Sequence, residues 1–162
     1  MTALHIDAFW AAARQTVSDL QLADRGTPGD EAHAPPASAF GATPAEADEL
    51  LKLVLDGSKT ATAGALWDYE HEGEMLPSVG DLEIVLDGSQ HPRALIEVTH
   101  VDIVPFDEIS EEHARLEGEG DRSLAHWRDV HERFFTEIAT HGRGFVRTMP
   151  VVAQRFRVLY QA

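Results

Sequence analysis

The sequence predicts an α+β protein whose sheet is mostly antiparallel and barrel-like, and three observations carry that expectation. Two helix patterns precede any strand. Two runs rich in β-branched residues, LEIVL (82–86) and RALIEVTHVDIV (93–104), then follow each other across DGSQ, a hairpin-turn sequence. Two more helical stretches separate that meander from a last strand pattern, MPVVAQRFRVLY (149–160). Helices and strands are grouped rather than alternating, which argues against a doubly wound parallel sheet.

Each element has its own warrant. Over residues 5–22, Ile6, Phe9, Trp10, Ala13, Val17 and Leu20 recur at helical spacing and form one apolar stripe. Residues 24–43, rich in Pro, Gly, Ala and Asp, read as a long loop of the kind that serves as a lid or a crossing segment. The next helix is well marked. Thr43 caps, Pro44 suits the first helical position, Glu46 completes a Thr-x-x-Glu capping box, and Gly57 ends it. Ala47, Leu50, Leu51, Val54 and Leu55 are its expected buried face. From Lys59 the pattern turns to strands. A helix is expected near Glu108 to Leu116, GEGDRS breaks the chain, and a second runs from about Ser123 to Ile138 with Leu124, Trp127, His131, Phe134, Phe135 and Ile138 on one side. No internal repeat is present. The N-terminal helix is too short for its own core, so residues 1–162 read as one domain, with 1–43 a helix plus loop and 44–162 the main body.

Composition narrows the function. Apolar residues make up 43% and charged residues 25%, ordinary for a soluble globular protein. No apolar run could span a bilayer, so no membrane partner is expected. MTALHIDAFWAAARQ has neither a basic start nor an apolar h-region; no signal peptide is read, and a cytoplasmic location is the expectation. The absence of cysteine excludes disulfides, thiolate metal sites and a Cys nucleophile. A formal charge of −15 repels long nucleic acid. Yet residues 138–162 hold no Asp or Glu while carrying Arg143, Arg147, Arg155 and Arg157. That segment is either a local basic surface or a set of Arg paired with carboxylates from elsewhere.

The nine His show no HExxH or HxH spacing, so no metal ligand is assigned. Walker, GxGxxG and GxSxG motifs are absent. Two polar clusters remain. GSKTATAG (57–64) places Lys59, Thr60 and Thr62 among residues too small to build a core, and EGEGDRS (117–123) holds Glu117, Glu119, Asp121, Arg122 and Ser123. Each has a structural explanation. Lys59 benefits from a helix C-terminus, and Asp121 or Ser123 can cap the next helix. Trp67, Tyr69 and Trp127 are candidates for stacking on bases, although Trp127 also fits the core stripe of its helix.

The string FGATPAEADELLKLVLDGSKTATAGALWDYEHEGEMLPSVGD, followed by VPFDEI and EGEGDRSLAHWRDVHERFF, resembles the ASCH domain family. The resemblance covers roughly residues 40 to 160. It implies a PUA-like barrel with flanking helices and a central cleft. It also implies RNA or nucleoside binding and, in some members, hydrolysis: either amide hydrolysis of N4-acylcytidine nucleosides, or metal-dependent cleavage of RNA. In the amidohydrolase branch the functional trio is a Lys, a Thr three residues later and a Glu. By resemblance these fall on Lys59, Thr62 and Glu117, with Glu119 in the adjacent register. Thr60, Trp67, Tyr69, Glu119, Asp121, Arg122, Ser123 and Trp127 are then the expected substrate-binding residues. An extra N-terminal helix and the GEGDRSLAHWR extension depart from that branch. A Lys amine can serve as base for a Thr hydroxyl when burial lowers its pKa. In a regular strand, however, positions 59 and 62 face opposite sides, so they converge only across an irregularity. The expected ligand is a nucleoside or short single-stranded RNA, bound by a monomer or homodimer. No cofactor is needed unless the ribonuclease alternative holds, which requires a divalent metal. A non-catalytic RNA-binding domain is the third alternative.

Overall fold

A computed structural model describes residues 2–17 and 33–162 of the chain. The predicted first helix beyond residue 17, Leu20 included, and the start of the predicted loop lie outside the described residues. In chain order the elements are α1 (Thr2–Thr16), β1 (Ala37–Ser38), α2 (Pro44–Asp56), β2 (Ala61–Ala65), α3 (Leu66–Glu72), β3 (Leu82–Leu86) and β4 (Pro92–Pro105). A 3-10 turn (Phe106–Glu108), α4 (Glu111–Glu117), α5 (Leu124–Glu137) and β5 (Pro150–Gln161) complete them.

The strands form one mixed sheet in the order β1-β3-β4-β5-β2. β1 pairs parallel with β3, while β3·β4 and β2·β5 are antiparallel. The α+β expectation is met, but among the described residues the sheet is open rather than a closed barrel. Closure needs edge strands that pair with each other at a fixed stagger. Here the edges are β1, two residues long, and β2, five residues long.

The chain divides into two compact units that interleave in sequence. The first takes Met1–Leu55, Gly80–Glu97 and Arg157–Ala162. Its core gathers Phe9, Trp10 and Ala13 from the predicted α1 stripe with Ile84, Leu86 and Leu95 of the hairpin. The capping box of α2 is made as the sequence predicts: Glu46 N–H donates to Thr43 Oγ1 at 3.2 Å and Thr43 N–H to Glu46 Oε2 at 3.3 Å. The DGSQ turn closes through Gln90 N–H to Asp87 O at 3.0 Å.

The second unit takes Asp56–Val79 and Val98–Phe156 and holds the candidate site. Its core is built from Phe106, Ile109, Ala114, Trp127, Phe135, Met149 and Val151. α3, unforeseen in the sequence, buries none of its residues, which is why it leaves no apolar stripe to read. Among the described residues no helix is long and apolar enough to cross a membrane.

Candidate functional site

The octapeptide at the end of α2 is held against the end of α4. Gly57 turns the chain out of α2 at φ +85°. Thr60 then donates its N–H to Leu116 O at 2.7 Å and accepts from Phe156 N–H at 2.9 Å, which joins this segment to both α4 and β5. α4 ends at Gly118 with φ +75°, where an added Cβ would lie 2.5 Å from Ser58 O. Glycine is therefore required twice over at position 118, for the left-handed backbone and for the close approach of a second backbone. This contact brings the two polar clusters together.

At their meeting Lys59 and Glu117 are both buried, each 2% exposed. Lys59 Nζ donates to Ala61 O at 2.8 Å and lies 3.5 Å from Glu117 Oε1 and 3.9 Å from Glu119 Oε2. Glu117 is engaged on both oxygens. Oε2 accepts from His113 Nε2 at 2.7 Å and from the Trp127 indole N–H. Oε1 faces His131 Nε2 at 3.3 Å as well as Lys59. His131 Nδ1 lies 2.8 Å from Trp127 O, which only accepts, so Nδ1 carries a hydrogen. The His131 ring stacks on Trp127 at 4.1 Å between centroids and 14° between planes. Glu119 stands beside this buried group with its side chain 22% exposed.

The two carboxylates are pushed in opposite directions. Burial works against the Glu117 anion, but the His131 and Lys59 charges and the hydrogen bonds from His113 and His131 outweigh it and hold its pKa well below the usual range. Burial raises Glu119, and the Glu117 charge adds to that rise while Lys59 opposes it. For His131, burial disfavours the imidazolium, yet the Glu117 charge and hydrogen bond prevail and raise its pKa.

The remaining predicted residues divide. Thr62 lies in β2 opposite Gln154. Strand alternation sends Thr62 and Gly64 to one face and Ala61, Ala63 and Ala65 to the other. Ala63 and Ala65 pack with Trp127 and Phe135, so Thr62 projects from the opposite face. Its hydroxyl makes no hydrogen bond among the described residues. Thr60 contributes its backbone. Asp121 Oδ1 accepts from Ser123 N–H at 2.9 Å, Ser123 Oγ caps α5 through His126 N–H at 3.1 Å, and Arg122 Nε donates to Arg115 O at 3.2 Å. These three shape the turn into α5. Trp127 is in the core, with its indole N–H committed to Glu117, and offers no open stacking face. Trp67 is half-buried under the Arg143 guanidinium, 4.8 Å from its ring centroid, and edge-on to His141. The Tyr69 ring covers Gly64. Arg155 pairs with Glu112 at 3.5 Å and Arg157 with Glu97 at 3.4 Å, so two of the four Arg of the acid-free segment are paired with carboxylates.

Sequence reasoning missed His113 and His131 as site residues. Two signals were available: the His–x3–Glu spacing of His113 and Glu117, which stacks them on one helical face, and a His at position 131 in an otherwise apolar stripe. Glu117, Glu119 and His131 also bring one metal-ligating atom each within 4.8 Å of one another. The Lys59 ammonium already supplies a cation to both of these carboxylates.

Comparison with known proteins places the fold. Among solved structures, an ASCH domain from Lactobacillus crispatus JV V101 is 32% identical with a TM-score of 0.75, over 93% of this chain and 96% of that one. A protein from Enterococcus faecalis V583 is 32% identical with a TM-score of 0.79, over 96% of this chain and 88% of that one. No curated protein matches the chain. The ASCH domain profile matches residues 36–160, which contain the whole cluster. The chain belongs to the ASCH domain family, whose fold is PUA-like and RNA-binding.

Proposed function

We propose that this chain is a hydrolase that binds a nucleoside or short single-stranded RNA and removes the acyl group from N4-acylated, cytidine-like nucleosides. The observation that supports this reading is the meeting of Lys59 with Glu117 and Glu119 in a buried, hydrogen-bonded cluster with one solvent-facing carboxylate. Taking a carboxylate and an ammonium out of water costs several kcal/mol per ion, so the cluster is a poor stability device. Buried charges of opposed tendency mark functional sites.

The roles follow from the contacts. The Lys59 ammonium is 2% exposed, so it donates to the acyl oxygen when substrate takes the place of its 3.9 Å contact with Glu119, and its charge then stabilises the developing oxyanion; one preorganised donor of this kind contributes about 10²–10³ in rate. Glu117, with His113, His131 and Trp127, fixes that ammonium in place. Lys59 Nζ is engaged by two carboxylates and a carbonyl, and Thr62 lies on the β2 face opposite Ala63 and Ala65. Water is therefore a more economical nucleophile than a Thr62 hydroxyl activated by Lys59.

A metal-dependent ribonuclease is the second reading, favoured by the Glu117, Glu119 and His131 trio. It requires a divalent ion to displace the Lys59 ammonium, whereas amide hydrolysis displaces only the 3.9 Å contact of Lys59 with Glu119. The −15 charge, the paired Arg155 and Arg157 and the buried Trp127 also disfavour a long polyanion.

The test is turnover of N4-acetylcytidine in EDTA, and of a labelled short RNA with and without Mg²⁺ or Mn²⁺. Cytidine release in EDTA supports the first reading, and metal-dependent RNA cleavage alone supports the second. Neither activity would leave a non-catalytic RNA-binding domain.

A further inference from the structure

We propose that Glu119, and not Glu117, is the carboxylate that moves the proton in this hydrolysis, with Glu117 acting only as a positioning residue. The proposal rests on the hydrolase reading above and assigns the role within it.

Access and hydrogen-bond capacity separate the two groups. A proton carrier must reach the attacking water and then the leaving nitrogen. Glu117 is 2% exposed, and both its oxygens are engaged, Oε1 by Lys59 and His131 and Oε2 by His113 and Trp127. It has no oxygen to offer a substrate without breaking the cluster. Glu119 is 22% exposed, and among the described residues its ion pair is the 3.9 Å approach of Lys59 Nζ to Oε2. It borders solvent on one side and the ammonium on the other, which is where a water and an acyl oxygen would have to meet. Gly118 and Gly120, both at positive φ, flank it and fix how this short segment leaves α4.

The step balances as follows. The water oxygen bonds to the acyl carbon, and one water proton passes to the Glu119 carboxylate. The acyl oxygen takes the electron pair of the C=O bond and is stabilised by the Lys59 ammonium. The carbonyl then re-forms, the C–N4 bond breaks, and its electron pair stays on N4. Glu119 returns the proton to N4, giving free cytidine and the carboxylic acid. No oxidant, reductant or co-reactant other than water is used.

The experiment is chemical rescue. Glu119→Ala should lose N4-acetylcytidine turnover by at least about 100-fold, the lower end of what a positioned acid–base group contributes. It should keep the wild-type melting temperature. Added formate should restore activity in a concentration-dependent way, because the vacated space opens to solvent. Glu117→Ala should regain nothing with formate, because its space is sealed. Several results would overturn the assignment while leaving the hydrolase reading intact: full activity in Glu119→Ala, a loss that formate does not rescue, or rescue of Glu117→Ala. Wild-type protein that fails to hydrolyse N4-acetylcytidine refutes the hydrolase reading, and the proposal with it.

Discussion

Replacing Glu117 with Gln tests the cluster at its centre, because the change keeps the shape of the side chain, removes its charge and turns one acceptor oxygen into an NH2 donor that faces other donors. In the native protein this carboxylate faces four groups: Lys59 at 3.5 Å, His131 at 3.3 Å, His113 at 2.7 Å and the Trp127 indole N–H. An amide in its place takes from the buried Lys59 ammonium the carboxylate charge 3.5 Å away. Breaking a buried pair from one side costs about 3–5 kcal/mol. In a protein of this length each kcal/mol lowers Tm by about 2–4 °C, so the variant should melt roughly 6–20 °C below wild type at pH 7. The difference depends on pH with a defined sign. The folded-state pKa of Glu117 is depressed, so its contribution is fully present above the ordinary glutamate pKa of about 4.3 and is lost as pH falls through the depressed value. The gap between the variant and wild type should thus be widest near neutrality and should close in acid. Thermal unfolding followed by circular dichroism at several pH values measures both. A variant within about 2 °C of wild type at pH 7 would refute the claim that Glu117 organises the cluster.

Other changes have defined outcomes. His131 has a raised folded pKa, so its stabilisation is present below about pH 6.5 and disappears as pH rises through the raised value; His131→Asn should flatten the fall in Tm across that window, and an unaltered slope would contradict the assignment. Glu119→Gln removes a carboxylate whose charged form the fold disfavours, so at pH 7 it should leave Tm unchanged or higher while lowering turnover; a lower Tm would count against the reading. Gly118→Ala meets both a positive φ and Ser58 O at 2.5 Å. The φ alone costs about 1–2 kcal/mol, so the variant should be less stable and less active, and wild-type values in both would be contrary. Thr62→Ala should keep kcat/KM within about fivefold, whereas a loss beyond about 100-fold would make Thr62 the nucleophile.

Local features carried most of what the sequence could show. The Thr43–Glu46 box, the α1 stripe through Phe9, Trp10 and Ala13, and the hairpin turn at Asp87–Gln90 are each written within a few residues, and each is made. Lys59 and Glu117 were legible as polar residues in glycine-rich settings. Their meeting depends on Gly118 admitting the Ser58 backbone, a contact between distant segments that no periodicity records. His113 and His131 were passed over for a related reason: each sits on a helix face that reads as packing until the partner carboxylate is placed beside it. Closure of the sheet is a property of the edge strands, and β1, at two residues, is too short to leave a pattern. Thr62 shows the converse: resemblance groups it with Lys59, whereas the strand pattern speaks only to its place on the β2 face opposite Ala63 and Ala65.

Turnover of N4-acetylcytidine in EDTA by wild type and by Lys59→Met, normalised to the folded fraction, tests the central claim most directly. Met matches the side chain as far as Cε and removes the charge that sits 3.5 Å from Glu117 and 3.9 Å from Glu119. Loss of a single preorganised donor to the oxyanion predicts a fall in kcat of about 10²–10³. Release of cytidine by the folded variant within about threefold of wild type would contradict the account.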